Sequence, residues 1–150
     1  MLPPGRSRNG LPHRRPALDR NDSLARAVIA GAVNAAGEAV LPLEVRNDSG
    51  ERETVAAVVD TGFTGFLTLP RAIVDSLSSP LLGSAPATLA DGSTTNLEIY
   101  EVLVNWHGRP PPVECLIVEG DPLAGMTLLR GNALRIQVVE GGAEEVEELP

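Results

Sequence analysis

Residues 55–69, VAAVVDTGFTGFLTL, set one carboxylate between two apolar segments of strand character. Val55, Ala56, Ala57, Val58 and Val59 lead into the loop, and Phe66, Leu67 and Leu69 resume the apolar pattern after it. Asp60 falls at the junction and is followed by Thr61 and Gly62. A chain with this segment has to return on itself through a tight turn that carries Asp60.

A lone carboxylate titrates at about pH 4 and is a poor general base at neutral pH. Two of them about 3 Å apart share one proton, because both cannot ionise at that distance, and the pair then holds an acid and a base together. The chain has one Asp-Thr-Gly and no second copy. Such chemistry would therefore need two chains. The tripeptide arises by chance in roughly 3 of every 100 chains of this length, so its surroundings carry the argument. Downstream, Asp121-Pro122-Leu123-Ala124-Gly125-Met126-Thr127-Leu128-Leu129-Arg130-Gly131 reads as a small-apolar-Gly turn entering a short helical pattern, followed by a strand over 134–139. With these two elements in this order, residues 26–149 resemble the retropepsin-like aspartic proteases, in particular their single-domain bacterial members.

The resemblance implies an all-β, retropepsin-like closed β-barrel with one or two short helices and one lobe per chain. It implies an aspartic endopeptidase working as a homodimer on extended polypeptide, with no cofactor. Asp60 is then the catalytic residue, one from each protomer across a two-fold axis. The ionised partner takes a proton from water while the protonated one donates to the scissile carbonyl. Thr61 is similar to the family threonine whose hydroxyl reaches the opposite loop, and Gly62 lets the backbone approach the carboxylate. Read from the residues alone, Asp60 also fits an Asx-turn that accepts local backbone hydrogen bonds.

Phe63 departs from the family's usual Ala or Ser. It is expected either to narrow the cleft or to pack under the loop, and Thr64 to offer a hydroxyl to substrate. The turn Ala90-Asp91-Gly92-Ser93 resembles the family flap, which closes over a peptide and excludes bulk water. Leu123, Ala124 and Gly125 stand where the family has an apolar-apolar-Gly segment packed behind the catalytic loop. Ala124 is smaller than the usual Ile or Leu, which weakens that buttress. Arg130 reads as a solvated cation or as the partner of an interface acid.

Composition narrows the alternatives. A chain of 150 residues fits one domain with a tail. All twelve basic residues are arginine. Residues 1–24 hold five of them and two aspartates, a balance of +3, while residues 25–150 stand at −11. An acidic body argues against nucleic acid as the main partner. Cys115 is the only cysteine, so an intrachain disulfide is impossible. His13 and His107 are the only histidines, and no cluster has metal-ligand spacing, so no metal site is expected. No apolar run suits a secretory signal or a membrane span, and a cytoplasmic protein is expected.

Residues 1–24, with Pro3, Pro4, Pro12, Pro16 and no hydrophobic periodicity, are expected to be disordered. The domain then runs over 25–150. Strands are predicted over 27–33, 38–46, 54–59, 81–89, 95–106 and 111–119, with a helix over 70–77 and one helical turn over 127–130. A closing hairpin, 134–140 and 144–149, turns at Gly141-Gly142. Glu144, Glu145, Glu147 and Glu148 crowd around Val146 there. Were these strands to meet across a two-fold axis, dimerisation would tighten as pH falls through the glutamate range; otherwise the glutamates form a solvated face. From another functional class, the same residues fit a dimeric β-barrel module that binds peptide or protein without hydrolysis, a reading that Phe63 and Ala124 favour. No residue supports a small-molecule enzyme.

Overall fold

The computed structural model describes residues 27–150, so the expected disordered extension lies outside the described residues. Ten strands and two short helices follow in the order β1 (Val28–Val33), β2 (Ala39–Arg46), β3 (Arg52–Val59), β4 (Leu67–Leu69), α1 (Arg71–Ser76), β5 (Leu81–Thr88), β6 (Thr94–Val104), β7 (Pro112–Ile117), β8 (Leu123–Ala124), α2 (Met126–Leu129), β9 (Asn132–Ile136) and β10 (Ala143–Glu148). Strand alternation produces the core. Leu41, Leu43 and Val45 of β2 and Val55 and Ala57 of β3 turn inward, joined by Leu67, Leu69, Val102, Val104 and Cys115.

Within the sheet the strands neighbour one another in the order β5-β6-β7-β4-β8-β3-β2-β1-β10-β9. A further pairing, Val45 with Val104 and Arg46 with Leu103, ties β2 back to β6. The pairings thus return on themselves, but the ring does not run evenly round one axis. The architecture is mostly β with few short helices, as the sequence reading expected, in a ring less regular than a barrel closed evenly about one axis. No helix among the described residues is long and apolar enough to cross a membrane.

Local chemistry explains most boundaries. Pro70 sits at the N-cap of α1 in an extended conformation, one residue before its expected place in the first turn. Glu119 accepts the Arg71 N–H at 3.1 Å and Asn47 donates to the Leu77 carbonyl at 2.7 Å, so both helix ends find side-chain partners. Trp106 and Arg109 exchange backbone bonds around His107 and Gly108, which both adopt positive φ.

The expected C-terminal hairpin forms, with β10 antiparallel to β9, but its surroundings depart from expectation. β10 lies between β1 and β9, so its backbone is already paired on both sides and it is not a free edge. Its glutamates do not form one solvated face either. Glu144 and Val146 are buried, Arg135 holds Glu145 at 3.3 Å, and Arg109 holds Glu148 at 2.5 Å.

Candidate active site

The consecutive strands β3 and β4 and the distant β8 position Asp60. β8 runs parallel to β3, with Val58 opposite Leu123 and Val59 opposite Ala124, and antiparallel to β4, with Leu67 opposite Ala124. Beyond the last β3 residue the ladder continues: the Asp60 N–H donates to the Ala124 carbonyl at 3.0 Å. Ala124 is fully buried. The segment expected to stand behind the loop therefore does so as a short strand, and its own N–H at Leu123 is held by the hydroxyl of buried Thr68 at 2.9 Å.

At the turn, Asp60 Oδ1 accepts the Gly62 N–H at 2.9 Å, and the Phe63 N–H donates to the Asp60 carbonyl at 3.1 Å. One backbone hydrogen bond, from Gly62, orients the carboxylate, and no side-chain hydrogen bond to it is made among the described residues. A Cβ on Gly62 would stand 3.2 Å from Oδ1, the close approach for which glycine was expected there. Thr61 is exposed and has no hydrogen bond within the described residues. That leaves its hydroxyl available outward.

Phe63 takes the second of its two expected directions. Its ring packs against Gly65 and Gly125, so closely that a Cβ on either glycine would fall within 2.6 Å of a ring carbon. The two loops are stitched together on both sides of that ring. Met126 N–H donates to the Phe63 carbonyl at 2.8 Å, Thr127 N–H to the Gly65 carbonyl at 3.1 Å, and Gly125 N–H to the Phe66 carbonyl at 2.9 Å. The Thr127 hydroxyl reaches the Thr64 carbonyl. Gly65, Thr68 and Thr127 escaped the sequence reading, since an isolated small or hydroxyl residue in an apolar stretch gives no local signal. Arg130 is exposed and pairs with no acid within the described residues.

The flap-like turn forms as expected between β5 and β6. Leu89 N–H donates to Ser93 carbonyl at 2.7 Å and Gly92, at φ 83°, closes the turn. Asp91 accepts the Ser93 N–H at 2.9 Å and its hydroxyl at 2.5 Å, contacts that hold its carboxyl below the usual range, the hydroxyl most of all. Ala90, Asp91, Gly92 and Ser93 are all exposed. β5 is an edge strand, and Leu81, Leu82 and Leu89 along this hairpin remain half exposed. Among the described residues no three His, Cys, Asp or Glu side chains gather in a metal-ligating group.

Neither a family profile nor a curated protein sequence matches the chain. A solved structure does, titled as the crystal structure of a retropepsin-like aspartic protease from Rickettsia conorii, with a TM-score of 0.51 over 82% of this chain and 91% of that one, at 18% identity. The chain shares the fold of a retropepsin-like aspartic protease. The aspartate that the apolar flanks singled out in the sequence is held where two strands and a glycine turn fix its backbone.

Proposed function

We propose that the chain is an aspartic endopeptidase that works as a homodimer, with a water activated between Asp60 and the Asp60 of a second copy. The observation that carries this reading is the fixed carboxylate. Gly62 N–H and the Ala124 carbonyl hold Asp60 from two directions, on a retropepsin-like fold. One copy supplies one carboxylate. Two copies related by a two-fold axis supply the pair, whose titration belongs to both together. The ionised member accepts the water's proton and the protonated member donates to the carbonyl oxygen, so the bond is hydrolysed without a covalent intermediate. Thr61 would reach the opposing loop, and the exposed Ala90–Ser93 turn would close over the substrate and exclude bulk water.

Phe63 supports a rigid site rather than an inactive one. What Ala124 lacks in volume behind the loop, the Phe63 ring supplies beside it by filling the space over Gly65 and Gly125. The test is direct. Asp60→Asn should abolish cleavage of a diverse peptide library between pH 4 and 7 while preserving circular dichroism and sedimentation. A wild-type chain equally silent across that range would instead favour the peptide-binding module.

A further inference from the structure

The outer face of β1, β2 and β3 carries a feature the catalytic loop does not use. Register puts Ala32, Val40 and Val58 in one row, and Pro42 and Ala56 in the next. All of them point away from the core, and Ala30, Ala32, Pro42 and Ala56 are exposed. They floor a groove of about 700 Å³, which meets a second of about 500 Å³ through their shared Ala30, Pro42 and Thr54. Val58 lies two residues before Asp60, so strand alternation starts both side chains from the same face. One end of the groove's floor is therefore close in sequence to the candidate catalytic carboxylate.

Its electrostatics are one-sided. Among the described residues, the charged ones lining the two grooves are Glu38, Glu44 and Asp121, and no arginine joins them. His107 is the other titratable lining residue, and its Nε2 is engaged by Asn132 at 2.6 Å. Glu38 spends one oxygen on Asn34 at 2.9 Å, and Glu44 has a long contact to Arg52 at 3.8 Å. Asp121 is exposed without a partner among the described residues, brought to the rim by the Val58 N–H bond to Pro122. A wholly apolar occupant would take water from these carboxylates and return nothing. An arginine or lysine side chain suits both parts of the groove, laying its aliphatic stem on the small apolar floor and its cationic head at the acidic rim.

We propose that this face is a docking groove for an extended polypeptide segment bearing arginine or lysine, through which the chain selects its substrates. The proposal rests on the endopeptidase reading for the word substrate, but not for the binding itself. A sheet face offers no free backbone groups, so recognition here is by side chains, with charge setting preference.

The experiment uses the full chain carrying Asp60→Asn and a fluorescent twelve-residue peptide with three arginines, compared with the same peptide carrying glutamines. Anisotropy should show about tenfold tighter binding of the arginine peptide at low salt, a preference that shrinks at high salt. The double variant Glu38→Gln, Asp121→Asn should remove most of that preference, and Ala56→Trp, which fills the groove from an exposed position, should weaken both peptides. Equal binding of the two peptides, or a preference that survives the double variant, overturns the proposal. So does a preference that emerges only after Arg6, Arg8, Arg14, Arg15 and Arg20 are changed to glutamine, since the chain's own segment would then be the occupant. Failure is separable from that of the endopeptidase reading. Selective binding without wild-type cleavage defeats the enzyme, whereas cleavage indifferent to basic residues defeats the groove.

Discussion

At Gly125 a single added methyl group would meet the Gly65 carbonyl oxygen at 2.2 Å and the Phe63 ring at 2.6 Å. The Gly65 carbonyl is held by the Thr127 N–H, and the ring is confined between Gly65 and Gly125, so neither neighbour can easily retreat. Gly125→Ala should therefore lower stability by about 3 kcal/mol, measured by urea unfolding. Gly62→Ala makes the opposite kind of change. Its methyl would stand 3.2 Å from Asp60 Oδ1, a contact relieved by a shift of a few tenths of an ångström. Stability should stay within about 1 kcal/mol of wild type, while peptide cleavage falls about tenfold because the reacting oxygen moves. A third side chain tests burial. Cys115 is fully enclosed and burial pushes its thiol up to about 12, so it should resist a disulfide reagent at pH 8 until the chain unfolds. Asp60 was legible in the sequence because apolar flanks made it conspicuous. Phe63's direction was not, since the ring is placed by two glycines, one of them sixty-two residues away.

Glu144 shows the same limit at the level of a strand. The alternation of β10 was readable, but its partners were not: β1 comes from the far end of the described chain, and only that pairing turns Glu144 inward. There it faces Gly31 across β1 and Ile136 across β9, with Leu41 of β2 beneath and both carboxylate oxygens unbonded. On the same face lie Ile29 and Val33 of β1, Leu134 and Asn132 of β9, and Glu148, which Arg109 holds; no cation among the described residues faces Glu144 itself. Burial pushes its carboxyl up to about 7 from the ordinary 4.5. A folded-state value above the unfolded one means that the neutral form favours folding. The contribution is complete below about pH 4.5 and is lost as pH rises through 7. Wild type should thus lose about 1–3 kcal/mol between pH 5 and 8, and Glu144→Gln should remove most of that slope, as read by unfolding at each pH. β8 was hidden for a related reason. Two residues carry no periodicity, and Leu123–Ala124 is a strand only because β3 and β4 close on it from both sides.

For the whole molecule, the pairing of β10 with both β1 and β9 changes where a second copy can attach. A β10 backbone without free groups cannot add to its mate, and three of the glutamates whose repulsion was expected to govern association are buried or held by arginine within one chain. The pH dependence expected of dimerisation thereby loses its cause, although the need for two Asp60 residues does not. Subunit mixing separates association from chemistry. If each active unit needs both carboxylates, adding an equimolar amount of Asp60→Asn chain to a fixed amount of wild type, with time for exchange, leaves about half of the wild-type chains paired with one another. Cleavage should then fall to about half and keep falling as more variant is added. A monomeric enzyme would keep its full rate at every ratio, and a dimer in which one carboxylate suffices would keep that rate or exceed it. Because the variant differs only at the carboxylate, folding and association are held constant while the pairing of acids is varied. A rate that does not move would disconnect the fold from the two-carboxylate mechanism, whatever the sedimentation of the chain.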